Sequence, residues 1–130
     1  MSEPRWLDRP ALLYLHRESL RRFGGAEGMR DGGLLDSALS RPRNRFAYEG
    51  DADTCNLAAA YAYGVVRNHP FVDGNKRAAL AAVGVFLMSN GLDLTAPPAM
   101  VTVAVLELAS DDMSEAECAD WLRAHTKTRA

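Results

Sequence analysis

Apolar positions recur at helical spacing along most of the chain, and no alternating run of β-branched residues is long enough to predict a strand. A first helix begins near Pro10, where proline suits the first turn, and runs through Leu12, Leu13, Leu15, His16 and Leu20 to Phe23 before Gly24-Gly25 stop it. The glycine-rich segment 24–33 reads as a mobile surface loop, with a small flap hairpin as the alternative, followed by a short helix from Leu34 to Arg41. Residues 41–53 connect onward to a helix capped by Asp53 or Thr54 and carrying "LAAAYAYGVVRN". The stretch from Asn75 to Asn90 is apolar nearly all round, which suits the centre of a bundle, and Gly91 ends it as a left-handed cap. Small residues at 58–60, 64, 81, 82 and 84 allow the two central helices to approach closely. Pro97-Pro98 opens another helix through Val101, Val105 and Leu108. Ser114 with Glu117 forms a capping box for a last helix containing Trp121 and Leu122. The expectation is an all-α, compact bundle of about six helices in a single domain.

Composition narrows the function classes. The chain has 130 residues, 48% hydrophobic and 25% charged, with a formal net charge of −2. That balance gives no broad basic surface for phosphate-backbone binding, so direct nucleic-acid binding and a ribonuclease activity are not expected. Arg41, Arg43 and Arg45 form one local cluster, read either as a solvated loop or as a phosphate-facing patch. No secretory pattern opens the chain, and the apolar run from Ala78 to Met88 is short of the ~20 residues that span a bilayer, so the expectation is a cytoplasmic protein without a membrane partner. Cys55 and Cys118 lack any metal-ligand spacing and read as reduced, part-buried hydrophobes.

The run "NHPFVDGNKR", residues 68–77, joins the two central helices and carries the candidate chemistry. A helix N-terminus presents unpaired N–H groups and a partial positive charge, so Gly74, Asn75 and the amides after them can cradle an anion. Lys76 and Arg77 add full positive charge in that first turn, against the helix dipole, a conflict that a bound phosphate would resolve. Asp73 suits Mg²⁺, which takes one or two carboxylates together with waters and substrate phosphates; its other reading is a helix cap. His69 precedes Pro70, which favours an extended backbone outside both helices, and its imidazole is a natural proton acceptor. Phe71 reads as a core anchor and Val72 as packing.

The run "HPFVDGNKR" resembles the signature of the Fic/Doc (Fido) superfamily. The likeness extends through "LHRESLRRFGGAEGMRDGGLLDSALSRPRNRFAYEG" and "FLMSNGLDL" to most of residues 7–125 and looks like the death-on-curing branch. It implies a Fido domain with His69 as base, Asp73 holding Mg²⁺, and Gly74, Asn75, Lys76 and Arg77 around the phosphates of ATP, with Arg67 as a candidate phosphate or target contact. In the larger Fic group glycine usually stands at the position of Lys76 and a second arginine at that of Leu80. The departures here imply a Doc-type toxin that phosphorylates a hydroxyl of elongation factor Tu, whereas Pro70 and Gly74 are closer to Fic and keep AMP transfer as the alternative. A catalytically silent partner-binding domain is the third reading. The self-inhibitory Fic pattern is not found in the sequence, so a separate small antitoxin is the expected inhibitor. The segment 24–33 is expected to act as a flap that aligns the target.

Overall fold

A computed structural model describes residues 2–129. These form six helices and one small sheet: α1 (Arg9–Phe23), α2 (Gly32–Tyr48), α3 (Thr54–Asn68), α4 (Asn75–Ser89), β1 (Leu92–Leu94), α5 (Pro98–Ala109), α6 (Glu115–Ala124) and β2 (Thr126–Thr128). The fold is all-α, as expected. No helix among the described residues is long and apolar enough to cross a membrane.

α3 and α4 are the centre. α3 packs against α2, α4, α5 and α6, and α4 packs against α1, α3, α5 and β1. Alanines make the close approach of these two helices feasible: Ala58, Ala59, Ala60, Ala78, Ala79 and Ala82 are all fully buried. Gly64 serves the other face of α3, because a Cβ there would lie 3.0 Å from the Ala38 Cα of α2. Tyr61, also buried, donates its hydroxyl to the Leu7 carbonyl and accepts from the Leu7 N–H, which pins the N-terminal segment to the core. Burial pushes the Tyr61 phenol up to about 12.

Capping chemistry sets the helix starts. Asp8, Asp31, Asp53 and Ser114 accept N–H groups at the starts of α1, α2, α3 and α6, and the last two complete reciprocal capping boxes with Asn56 and Glu117. Gly24 and Gly91, both at positive φ, terminate α1 and follow α4 as expected. Cys55 and Cys118 are buried and free, with their thiols pushed up by burial.

Three local features differ from expectation. α2 does not stop at Arg41 but continues through Pro42 to Tyr48. Tertiary contacts carry it past the proline: Arg41 and Arg45 both bond Glu115 of α6, and Phe46 meets Trp6 edge to face at 5.6 Å. The arginine cluster is thus on a helix rather than in a loop. Second, the chain after Gly91 pairs with its own C-terminal end as β1 and β2, antiparallel, Asp93 opposite Lys127; at three residues each, these strands are too short to show a period. Third, no hairpin forms over residues 24–33; the segment instead makes one antiparallel bridge, Met29 to Phe71, with the loop between α3 and α4.

Candidate active site

The loop between α3 and α4 is held from three sides. From α4, the buried Asn75 side chain accepts the Phe71 N–H and donates to the Phe71 carbonyl, both at 3.0 Å. From the glycine-rich segment, the Gly28 carbonyl accepts the Val72 N–H, and the Pro70 carbonyl accepts the N–H groups of Arg30 and Asp31. The Arg30 guanidinium donates to the carbonyls of Asn68 and His69, each at 2.7 Å. From α1, His16 stacks on Phe71 with ring centroids 3.6 Å apart and reaches the Asp73 carbonyl. The segment expected to be a mobile flap is therefore docked along the motif loop over residues 26–31.

His69 caps the C-terminus of α3 in the left-handed conformation, φ 53 and ψ 55, with its N–H bonded to the Val65 carbonyl. This corrects the extended backbone expected from Pro70: completing the last turn of α3 and the Arg30 bond to the His69 carbonyl outweigh the pre-proline bias. The exposed imidazole lines two adjoining grooves. One, of about 300 Å³, is bounded by Asp73, Gly74, Asn75, Lys76 and Arg77. The other, of about 490 Å³, runs between α4 and α5 past Val66, Val103, Leu106 and Glu107.

Asn75 also sets the histidine's hydrogen. Phe71 fixes which end of the amide is which, so Nδ2 is the atom 3.1 Å from the His69 Nδ1. Nδ1 must accept there, and the neutral ring carries its hydrogen on Nε2. Proton uptake at Nε2 therefore requires the other tautomer, with the Asn75 bond released.

At the start of α4, Gly74 caps at φ 80 with no side-chain hydrogen bond, and the first turn holds no acid. The N–H groups of this turn thus open onto the smaller groove beside Lys76 and Arg77. Among the described residues neither cation has a carboxylate within ion-pair distance; Arg77 lies over the Phe23 ring at 4.6 Å. Asp73 accepts the Ala26 N–H on Oδ2 and the Gly74 N–H on Oδ1, and these bonds, helped by Arg77, hold its carboxyl below the ordinary value.

Among the described residues no three His, Cys, Asp or Glu side chains cluster to hold a metal by themselves. A single ionised, exposed carboxylate at an anion cradle is nevertheless the donor set that suits Mg²⁺ shared with substrate phosphates, so the residues present fit that ion.

The structure brings His69, Asp73, Gly74, Asn75, Lys76 and Arg77 together around one groove. It does not bring Arg67 there: that guanidinium pairs with Asp111 at 2.6 Å and leans toward Tyr63. Nothing in the sequence pattern marks Arg30 as the clamp on the motif backbone, and His16 reads there only as part of an apolar stripe. A histidine in a core-facing position flanked by Leu12 and Leu20 was the available signal for the latter.

Comparisons with known proteins identify relatives of the chain. The model of the Fic/DOC family matches residues 6–87. "Protein kinase doc" of Escherichia phage P1 is 35% identical over 112 residues, covering 86% of this chain and 88% of that protein. "Toxin Doc" of Mycolicibacterium smegmatis is 42% identical over 89 residues, covering 64% of this chain and 68% of that protein. A family match over most of the fold, carried through the loop that joins α3 to α4, means that this chain belongs to the Fic/DOC family.

Proposed function

We propose that residues 7–125 act as one Doc-type toxin unit, a kinase that transfers the γ-phosphate of ATP to a serine or threonine hydroxyl of a translation factor such as elongation factor Tu. The observation that carries this reading is the pairing of an exposed imidazole with a cationic helix N-terminus whose Lys76 and Arg77 have, among the described residues, no carboxylate in ion-pair contact, across one groove. The names of the two relatives, a kinase and a toxin, support it.

In this reading the α4 N–H groups and the Lys76 and Arg77 side chains bind the phosphates and stabilise the charge that spreads over the transferred group, while Gly74, whose own N–H is given to Asp73, lets the phosphate approach the backbone. Asn75 contributes its main-chain N–H, because its side chain is 3% exposed and already engaged. His69 orients the attacking hydroxyl and takes its proton once the Asn75 bond has been exchanged. Asp73, with the phosphates, would hold Mg²⁺, which supplies charge neutralisation between phosphate oxygens when bound. A small antitoxin with a partly disordered segment would inhibit by covering the groove, and action in the cytoplasm follows from that pairing.

The test is incubation with elongation factor Tu and ATP labelled at either the α- or the γ-phosphate. Label arriving from the γ position alone is the expected result. Transfer of α label would replace the kinase with an AMP transferase, and no transfer by the folded protein with Mg²⁺ present would leave a partner-binding role.

A further inference from the structure

Among the described residues three polar side chains are buried: His16, Ser19 and Asn75. Two of them direct their polar atoms at the same loop. Asn75 holds Phe71 and His69, whereas His16, 6% exposed, holds Asp73. We propose that His16 is a positioning residue for the Asp73 carboxylate, fixing through the Asp73 main chain the direction in which that side chain projects. The inference rests on Asp73 as the metal ligand.

Packing alone does not call for a histidine here. Position 16 lies one turn from both Leu12 and Leu20 on the stripe of α1 that faces the core, and a leucine would fill that row. A buried imidazole is tolerated only if its N–H finds an acceptor. That acceptor is the Asp73 carbonyl, 2.7 Å from Nε2 and 57 residues away in sequence. A carbonyl only accepts, so Nε2 carries hydrogen whatever the charge of the ring. The parallel stack on Phe71, 7° between ring planes, holds the imidazole in that direction.

The carboxylate end of the same residue is gripped by the segment that follows α1. Ala26 donates its N–H to Oδ2 at 3.1 Å. Gly25 makes this approach possible: at φ +127, a Cβ there would fall 2.8 Å from Oδ2 and 2.9 Å from the Leu20 side chain. Gly74 donates to Oδ1 at 2.8 Å. Asp73 is thus held at its main chain by α1 and at both carboxylate oxygens by backbone N–H groups. Partners that orient a metal ligand in this way typically change metal affinity or activity by about 10- to 100-fold when removed.

Three variants separate the roles. His16→Phe keeps a ring on Phe71 and removes the donor, His16→Gln keeps a donor without the ring, and Asp73→Asn removes the ligand's charge. The readout needs no turnover: Mn²⁺ affinity, from the electron paramagnetic resonance of free Mn²⁺, with a non-hydrolysable ATP analogue present. The expected result is Mn²⁺ bound about 10- to 100-fold more weakly by His16→Phe at a near-native thermal midpoint, and restored by His16→Gln. Native affinity in His16→Phe beside weak binding in Asp73→Asn would reduce His16 to packing. Native affinity in Asp73→Asn would instead remove Asp73 as the ligand, and this proposal with it. If His16→Phe does not fold, weak Mn²⁺ binding by folded His16→Gln overturns the donor role. The wild-type protein gives a check free of any variant: a ring ¹H–¹⁵N spectrum with hydrogen on Nε2 of His16 is expected, and a bare Nε2 contradicts the proposal.

Discussion

Two clusters of cations lie on this small fold, and they are treated in opposite ways. On α2, Arg41 and Arg45 both reach Glu115, Arg45 also reaches Glu49, and Arg43 lies over Trp6 at 5.0 Å. Arg67 at the end of α3 is likewise neutralised by Asp111. At the start of α4, Lys76 and Arg77 stand in a first turn without acids, beside open N–H groups. The first cluster ties α2 to α6. The second works against its own helix dipole, a local conflict that a bound phosphate removes.

The largest effect tests the second cluster's partner. His69→Ala removes an exposed side chain, so the protein should keep its fold while phosphate transfer falls by about 10²- to 10⁴-fold. Transfer at the native rate would remove His69 as the base. Next, Arg77→Ala should weaken ATP binding by about tenfold or more, the scale of one charge-assisted contact to phosphate, at unchanged thermal midpoint. A lowered midpoint with native affinity would place Arg77 in the structural class instead.

The first cluster should answer the other way. Arg45→Ala leaves Glu115, whose side chain is 15% exposed, with one guanidinium fewer, and should destabilise by about 1–3 kcal/mol in denaturant titration without changing ATP affinity. Gly64→Ala drives a methyl group into Ala38 and should destabilise by about 1–3 kcal/mol through overpacking where α3 crosses α2, again sparing nucleotide binding.

The smallest expected effect is a null one. Asp73 is held below the ordinary carboxylate value, so its contribution to stability is fully present above that value and is lost only as pH falls through the lower, folded one. Its protonation therefore should not appear in the pH–rate profile between about pH 5 and 8. An acid limb in that range that disappears in Asp73→Asn would show the carboxyl to be less acidic than its hydrogen bonds imply.

Helix caps, the central pair and the motif's place between them were legible in the sequence because they depend on local pattern: Asp53, Ser114 with Glu117, Gly24 and Gly91 act on their own neighbours. What was not legible depends on partners far along the chain. Pro42 reads as a helix stop until Glu115 is in place to hold the arginines on either side of it. Glycine-rich residues 24–31 read as free until Pro70, Val72 and Asp73 supply their hydrogen-bond partners. In the site, the residue types at 69–77 were visible at once. The engaged state of the Asn75 amide, the tautomer it imposes on His69 and the grip of His16 on Asp73 arise only once the loop is folded against α1 and α4.

The difference between the two clusters is tested most directly by calorimetric titration of Mg²⁺·ATP analogue into wild type, a Lys76→Ala/Arg77→Ala double variant and an Arg41→Ala/Arg45→Ala double variant. Loss of at least about tenfold in affinity in the first double variant alone is the predicted result, a change of about 1.4 kcal/mol or more. Equal affinity in all three proteins, or a loss confined to the α2 variant, would contradict the assignment of the α4 N-terminus as the phosphate site.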